Sequence, residues 1–177
     1  MLKEAIKLNL GSRNRAIPGF QGMDCEAHPG VGIVGDVFDL RSFGDGSVSA
    51  IYASHIIEHA PHVKTLGILK EWARVLEPGG ILYVAVPDFE RVVELYRTCD
   101  TGLTDWMTNY LWGDQAYPTA YHYAGFDESR LRKLLLLAGF SEASRVENFH
   151  IGDPNDCSRG KSTFDGKSVS RNMVAIR

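Results

Sequence analysis

The apolar run from Ile81 to Val86 limits the possible folds more than any other feature of this sequence. Its residues show no alternation of polar and apolar side chains. Because a strand with one solvated face normally alternates, this run predicts a central strand covered on both faces, as in a parallel sheet between helices. Four shorter upstream segments also predict strands: residues 5–10, 19–24, 31–35 and 50–53. The predicted fold class is therefore α/β, with a doubly wound and mostly parallel sheet.

Three segments have the apolar periodicity of helices. The first spans residues 64–76, and Pro78-Gly79-Gly80 is predicted to end it and turn the chain into the next strand. Asp88 and Asp127 are each suited to cap a following helix, the first running to Arg97 and the second stopping at Gly139. The side chains predicted to face inward are Leu66, Leu69, Trp72, Ala73, Leu76, Val92, Val93, Tyr96, Leu131, Leu134, Leu135 and Ala138.

The C-terminal part follows a different pattern. Residues 145–150 and 169–176 are two strand-like segments joined by a polar loop, residues 152–167, with no helix between them. Such a connection predicts an antiparallel pair at one edge of the sheet. No linker composition divides the chain, so residues 1–177 are predicted to form a single domain.

Composition excludes some classes of partner. The formal net charge is -3, so no global basic field favours nucleic acid or anionic membranes. No run approaches the ~18 apolar residues of a membrane span, and the N-terminus lacks the apolar core of a signal peptide. Cys25, Cys99 and Cys157 are widely spaced and odd in number, which predicts reduced thiols and not a disulfide framework. We expect a cytoplasmic protein.

A glycine and an acid mark the predicted ligand-binding edge of the sheet. Gly11 ends the first strand and Asp24 ends the second, at the carboxyl edge where open α/β sheets bind ligands. Dinucleotide sites use G-x-G-x-x-G with an acid about 20 residues further on. Asp24 follows Gly11 much more closely, and Pro18 and Gly19 interrupt the gap. Little room remains for a helix that binds a pyrophosphate, so a nicotinamide oxidoreductase is the less favoured alternative.

The order of short motifs along the chain resembles that of class I S-adenosylmethionine-dependent methyltransferases, in particular the methyltransferase type 11-like group. The segments that carry the resemblance are Lys7-Leu8-Asn9-Leu10-Gly11-Ser12, Ile17-Pro18-Gly19-Phe20 with Asp24, Gly35-Asp36-Val37-Phe38-Asp39-Leu40, Asp45-Gly46-Ser47, Ile51-Tyr52-Ala53-Ser54-His55, Glu58-His59, Arg74-Val75-Leu76-Glu77-Pro78-Gly79-Gly80, Val86-Pro87-Asp88 and residues 123–140. The resemblance implies a Rossmann-like sheet and S-adenosylmethionine as the cofactor.

The resemblance also implies positions for the cofactor. The predicted cofactor-binding residues are Leu10, Gly11, Ser12, Arg13, Asp24, Asp36, Val37 and Ser54. Among them, Gly11 would pass near the methionine moiety and Asp24 would bind the ribose hydroxyls. Asp36 and Val37 would frame the adenine, while Ser54 and His55 would lie near the methyl group. Asp36 also fits a purely structural role as a turn residue.

Arg13 departs from the family pattern, which commonly has a second glycine at this position. A bulky cation either narrows the pocket, pairs with the carboxylate of the cofactor, or lies in solvent. The sequence thus leaves two functions open: methyl transfer to a small-molecule acceptor, and a non-catalytic methyltransferase-like binding module.

Three residues are candidates for the catalytic chemistry. His55, at the carboxyl edge of the sheet, is the first candidate for a general base toward a hydroxyl or phenol acceptor. His122 is the second candidate, and Asp88 is a candidate orienting group. Each histidine has an alternative role as a hydrogen-bonded structural residue.

The segment His55-Ile56-Ile57-Glu58-His59 also matches the H-x-x-E-H pattern of some zinc peptidases, in which both histidines share a helix face. Pro61 follows too soon for a long supporting helix, and Glu58-His59 fits the methyltransferase pattern as well. We therefore expect no metal site of this kind.

Aromatic residues are concentrated between positions 104 and 126. They are Trp106, Tyr110, Trp112, Tyr117, Tyr121 and Tyr123. Residues 99–126 are interpreted either as a lid or acceptor-side insertion with an apolar pocket, or as a helix that closes the core or forms a homodimer surface.

Overall fold

The computed structural model of the protein describes residues 5–151, 163–164 and 167–177, and these form a seven-stranded sheet with helices packed on it. The strands are β1 (Ile6–Leu10), β2 (Gln21–Asp24), β3 (Val31–Val34), β4 (Val48–Ser54), β5 (Leu76–Pro87), β6 (Glu142–Val146), β7 (Thr163–Phe164), β8 (Lys167–Ser168) and β9 (Ser170–Ile176). The sheet order is β3-β2-β1-β4-β5-β9-β6, while β7 and β8 form a separate pair.

Strands β1 to β5 are mutually parallel, and β9 runs antiparallel to both of its neighbours. This arrangement confirms the predicted mostly parallel sheet with an antiparallel C-terminal pair. The pair is ordered so that β9 is an inner strand and β6 forms the edge. Strand β6 begins at Glu142, earlier than predicted. Most of the predicted 152–167 loop, together with Cys157, lies outside the described residues.

Strand β5 is covered on both faces, as its lack of alternation predicts. Leu82, Val84 and Val86 are fully buried in the main core on one face of the sheet. Ala85 and the partly buried Tyr83 pack on the other face, in a smaller cluster with Phe149. Burial raises the pKa of the Tyr83 hydroxyl.

The start of β5 differs from the prediction. The preceding helix ends at Val75, but Leu76 already pairs with Val48 of β4. Pro78-Gly79-Gly80 therefore lies within the strand, and Gly79 has a φ of 78° and donates a hydrogen bond to the Arg177 carbonyl. The proline and glycines form an irregularity in the strand, because the C-terminal strand provides partners for the backbone there.

The helices are α1 (Thr65–Val75), α2 (Phe89–Thr98), α3 (Asp105–Trp112) and α4 (Glu128–Ala138). Both predicted caps are confirmed. The Asp88 carboxylate accepts a hydrogen bond from Arg91 N at 3.2 Å, and the Asp127 carboxylate accepts one from Arg130 N at 2.6 Å. Gly139 ends α4 in the left-handed conformation, with a φ of 103°.

The buried faces of α1 and α4 agree largely with the prediction, whereas that of α2 does not. On α2, Val92 and Leu95 are buried against Met107 and Val169. Val93 and Tyr96, which were predicted to face inward, are exposed. Leu134 of α4 is only partly buried. Helix α2 buries a narrow stripe because it packs on α3 and on Val169, just before β9, and not on the broad face of the sheet.

Two further expectations concern the whole chain. No helix in the described ranges combines the length and the apolar character that crossing a membrane requires. Within the described residues, Cys25 and Cys99 form no disulfide bond.

Candidate cofactor and acceptor site

A cavity of about 300 Å³ lies at the carboxyl ends of β1, β2 and β4. From β1 the chain runs outward through β2 to β3, and it then crosses back past β1 to β4, so the strand order reverses between β1 and β4. This topological switch point is where open α/β sheets form their binding crevice. The predicted site residues that line the cavity are Gly11, Arg13, Asp24, Asp36, Val37, Ser54 and His55.

Gly11 is required by the backbone at the end of β1. Its φ is 67°, in the left-handed region that favours glycine. A Cβ at this position would collide with the side chain of Ile56. The Gly11 amide donates to the Met23 carbonyl at 2.8 Å, which holds the turn against the end of β2. Leu10 and Ser12, on either side, are buried and do not line the cavity.

Asp24 supplies a buried carboxylate at the cavity wall. It accepts hydrogen bonds from the backbone amides of Arg13 at 2.8 Å and of Glu26 at 3.3 Å. Each carboxylate oxygen has two acceptor lone pairs, so capacity remains for a ligand hydroxyl. The amide donors fix the carboxylate in place before any ligand arrives.

Arg13 has a left-handed backbone, with a φ of 43°, at the position where the family commonly has glycine. Its side chain lines the cavity and is exposed. The guanidinium carbon lies 4.9 Å from the centroid of the Tyr117 ring, within cation–π distance. Arg13 therefore joins the cavity wall to the aromatic segment on the opposite side.

Asp36 and Val37 follow β3 in a tight turn. The Asp36 carboxylate accepts a hydrogen bond from Phe38 N at 2.9 Å, so the turn role that the sequence left open is present. The Val37 carbonyl accepts a hydrogen bond from the buried Trp72 indole at 3.0 Å. Helix α1 thereby fixes the backbone that forms this side of the cavity.

Ser54 and His55 end β4 at the cavity. The buried Ser54 hydroxyl has no hydrogen-bond partner among the described residues. His55 has a φ of 56°, which turns its side chain away from the strand direction. Its Nε2 lies 2.7 Å from the Ser170 hydroxyl, and its Nδ1 lies 3.3 Å from Glu58 Oε1. The histidine is thus held between a buried carboxylate and a hydroxyl group.

Glu58 is fully buried. Burial by itself would raise the pKa of this carboxyl, but the contact with His55 and the charges of His55, His59 and His122 outweigh it and lower the pKa. For His122, burial lowers the pKa, and the charge of Glu58 only partly opposes this effect. An ionised Glu58 is therefore the form that the site favours.

The H-x-x-E-H segment does not form the helix of a zinc peptidase. Ile57–His59 is a single 3₁₀ turn, and His55 precedes it with a left-handed backbone. His55 and His59 therefore do not share a helix face, and the peptidase-type arrangement is absent from this described segment.

The other two predicted catalytic residues lie outside the cavity lining. His122 is partly buried, and its Nδ1 lies 3.1 Å from the Tyr110 carbonyl oxygen. The Asp88 carboxylate caps α2 and pairs with the buried Arg171 guanidinium at 2.8 Å. The surroundings of Asp88 are those of a structural ion pair.

Several cavity residues were not among the predicted site residues. They are Arg15, Cys25, Phe38, Ile56, His59, Tyr117 and Thr119. Phe38 and His59 belong to motifs that carried the family resemblance, and Tyr117 belongs to the aromatic segment, so a partial signal existed for these three. Thr119 reaches the cavity only through the tertiary path of the chain.

The aromatic segment divides into two groups. Trp106 and Tyr110 stack with ring centroids 5.3 Å apart, and they pack against the small cluster that joins α2 and α3. Burial is the main reason why the pKa of Tyr110 is raised. Tyr121 and Tyr123 stack on each other at 6.1 Å and are exposed. Core closure thus accounts for the first group only.

Comparisons with known proteins agree with this geometry. A family model for the methyltransferase domain matches residues 19–84. No curated protein sequence matches the chain significantly.

Solved structures of low sequence identity share the fold. A SAM-dependent methyltransferase from Archaeoglobus fulgidus has a TM-score of 0.60 at 12% identity, covering 98% of this chain and 86% of that one. A SAM-dependent methyltransferase from Thermotoga maritima has a TM-score of 0.57 at 18% identity, covering 99% and 84%. The 1,6-didemethyltoxoflavin-N1-methyltransferase of Burkholderia thailandensis has a TM-score of 0.61 at 16% identity, covering 99% and 72%.

The sheet order, the cavity at its switch point and the matched domain agree with one another. The chain therefore has the fold of S-adenosylmethionine-dependent methyltransferases, and its residues 19–84 are similar to the methyltransferase domain.

Proposed function

We propose that the protein binds S-adenosylmethionine in this cavity and transfers its methyl group to a small-molecule acceptor. The observation that carries the proposal is the convergence of residues from four separate segments, which follow β1, β2, β3 and β4, on one cavity. When bound, the cofactor supplies an electrophilic methyl group on a sulfonium. The rest of the chemistry is positioning by the protein.

The residues fit this cofactor. Gly11 leaves its backbone accessible to the methionine moiety, and Asp24 provides a fixed acceptor for the ribose hydroxyls. Asp36 and Val37 border the position of the adenine, where Trp72 anchors the Val37 carbonyl. The Ser54 hydroxyl, which has no partner among the described residues, is a free group beside the position of the methyl donor. Arg13 is placed to pair with the cofactor carboxylate.

We assign the acceptor side to residues 99–126. Tyr117 and Thr119 of this segment line the cavity, and the Arg13–Tyr117 contact joins the segment to the cofactor side. An aromatic wall with a few polar groups suits a small organic acceptor. The Burkholderia enzyme of the same fold holds 1,6-didemethyltoxoflavin together with S-adenosylhomocysteine, which supports a small molecule as the acceptor class. The cytoplasmic location and the homodimer remain predictions from the sequence.

His55 is the group we assign to proton removal from the acceptor. Its ring lies at the cavity, and the buried Glu58 carboxylate lies 3.3 Å from its Nδ1 and holds the ring on that side. The Ser170 hydroxyl holds the ring through Nε2. An acceptor that gives up its proton to His55 would then be ready to receive the methyl group that the bound cofactor would supply.

A non-catalytic binding module is the second candidate function. The observation in its favour is Arg13, whose side chain occupies the cavity wall where the family commonly has glycine. Such a module would bind the cofactor and turn over no acceptor.

The direct test of the proposal is calorimetry with S-adenosylhomocysteine. A thermal-shift assay then compares S-adenosylhomocysteine with NAD. We expect binding of S-adenosylhomocysteine and a rise in Tm with its concentration, and no shift with NAD. Absence of binding would contradict the proposal. Methyl transfer from radiolabelled S-adenosylmethionine to any acceptor of a small-molecule panel would exclude the binding module.

Replacing His55 with asparagine is expected to lower the methylation rate by roughly 10²–10⁴-fold, as loss of a general base commonly does. Asparagine tolerates the left-handed backbone of this position better than most residues, so S-adenosylhomocysteine binding should persist. His62→Asn, at an exposed histidine that does not line the cavity, is the matched control and should keep the full rate. An unchanged rate in His55→Asn would remove His55 from the proton transfer.

A further inference from the structure

Three side chains, of which His59 lines the cavity, bring ligand atoms close together. Glu58 and His59 lie in the 3₁₀ turn after β4, and His122 lies in the segment after α3. Each has a ligand atom within 4.8 Å of a ligand atom on both others. The proposed methyl transfer uses none of the three to bind the cofactor or the acceptor.

Both histidines are oriented by backbone carbonyls. His59 Nδ1 lies 3.0 Å from the Tyr121 oxygen, and His122 Nδ1 lies 3.1 Å from the Tyr110 oxygen. Because a carbonyl only accepts hydrogen bonds, each Nδ1 is the donor in these contacts, and Nε2 is the ring nitrogen left for another partner. A histidine that binds a metal typically has its other ring nitrogen held in this way.

The Glu58 carboxylate has no ion pair with a lysine or arginine among the described residues, and its ion-pair contact is with His55. Glu58 is fully buried, and neither oxygen has a hydrogen bond from any described residue. The 3.3 Å approach of His55 Nδ1 to Oε1 is a close contact without the alignment of a hydrogen bond. A buried carboxylate that lacks hydrogen bonds is costly unless a cation compensates it.

The backbone already joins the two segments that carry the cluster. Tyr123 N and Ala124 N both donate to the Glu58 carbonyl, at 2.8 and 3.2 Å. The two imidazole rings have centroids 4.7 Å apart and are nearly perpendicular. Little rearrangement is therefore required for the three side chains to close on one ion.

We propose that Glu58, His59 and His122 bind one divalent transition-metal ion of the zinc class. Two imidazoles and one carboxylate form a borderline-soft ligand set that suits zinc or iron(II) better than magnesium or calcium, which prefer oxygen ligands. Three protein ligands leave a fourth position open. Because His59 also lines the cavity, the ion would lie at the cavity wall. The site differs from the H-x-x-E-H pair, since His55 is held by Ser170 and is not a ligand.

The test is metal titration of the full chain after treatment with a chelator. We expect Zn²⁺ to bind with a stoichiometry of one by calorimetry, and Co²⁺ to give the visible absorption of a site with low coordination number. At a hundredfold excess over Kd, the Tm should rise by roughly 5–10 °C. No binding of either ion would overturn the proposal.

Variants distinguish this cluster from the alternatives. His59→Ala and His122→Ala should each weaken Zn²⁺ binding by at least roughly a hundredfold, which exceeds the usual effect of losing an outer-shell partner. The control variant His62→Ala should leave Zn²⁺ binding unchanged. His55→Asn should retain Zn²⁺ binding. If His55→Asn loses Zn²⁺ binding while His122→Ala retains it, the ion is bound by the H-x-x-E-H pair and the proposal is overturned.

A cysteine variant covers the case in which the alanine variants fail to fold. A thiolate is a good ligand for zinc and cobalt. His122→Cys should therefore keep Co²⁺ binding and add a thiolate-to-cobalt charge-transfer band that the wild-type protein lacks. A cobalt spectrum identical to that of the wild-type protein would show that residue 122 is not a ligand.

Discussion

Replacing Arg171 with methionine is expected to lower the free energy of unfolding by about 3–5 kcal/mol, the cost of breaking a buried ion pair by removing one partner. Arg171 is 4% exposed. Its guanidinium lies 2.8 Å from Asp88, 2.9 Å from Glu90 and 3.0 Å from Glu128. The loss arises mainly at Asp88, because that carboxylate is itself buried and would keep its charge without a cation, whereas the two glutamates are partly exposed.

The measurement is urea unfolding at neutral pH. Arg145→Met is the matched control, because Arg145 also approaches Glu128, at 3.8 Å, but its side chain is 61% exposed. A surface pair of this kind contributes about 0–1 kcal/mol. In the double variant Arg171→Met with Asp88→Asn, part of the loss should be recovered, since the buried charge is then removed. Equal losses for Arg171→Met and Arg145→Met would show that the buried pair does not stabilise the fold.

Replacing Asp24 with alanine is expected to weaken binding of S-adenosylhomocysteine by roughly a hundredfold. The estimate assumes two ribose hydroxyls donating to one carboxylate, at about 1.5 kcal/mol each, the lower limit for a hydrogen bond to a charged group. Calorimetry measures the affinity directly. The variant also removes the acceptor for the Arg13 amide, so its far-UV circular dichroism spectrum should first be shown to match that of the wild-type protein.

Asp39→Ala provides the control for Asp24→Ala. Asp39 is a nearby acid that pairs with Arg41 on the surface and does not line the cavity. Its removal should leave the affinity unchanged. If Asp24→Ala binds S-adenosylhomocysteine as tightly as the wild-type protein does, the assignment of Asp24 to the ribose is wrong.

The sequence predicted most of the sheet, because the signals for it are local. The unalternating run from Ile81 to Val86 predicted a strand covered on both faces, and the caps at Asp88 and Asp127 predicted where two helices begin. Parallel strands end at a common edge, so Gly11 and Asp24 were expected to lie close together. The Gly11 amide indeed bonds to the end of β2, next to Asp24.

Where the sequence prediction failed, the deciding contact was distant along the chain. The exposure of Val93 and Tyr96 follows from the packing of α2 against α3 and Val169, which the periodicity of α2 alone does not reveal. Strand β9 lies between β5 and β6 in the sheet because its backbone pairs with β5. No local pattern in the sequence encodes that choice of neighbour.

The sequence by itself determined the fold class, the caps and the grouping of most of the predicted cofactor-binding residues at one sheet edge, since each depends on short-range periodicity or on the common direction of parallel strands. Only the tertiary structure decided the partners of the charged and titratable groups. It paired Asp88 with Arg171, and it placed His122 beside Glu58 and His59. The physical reason is that burial and charge pairing depend on which distant segments pack together.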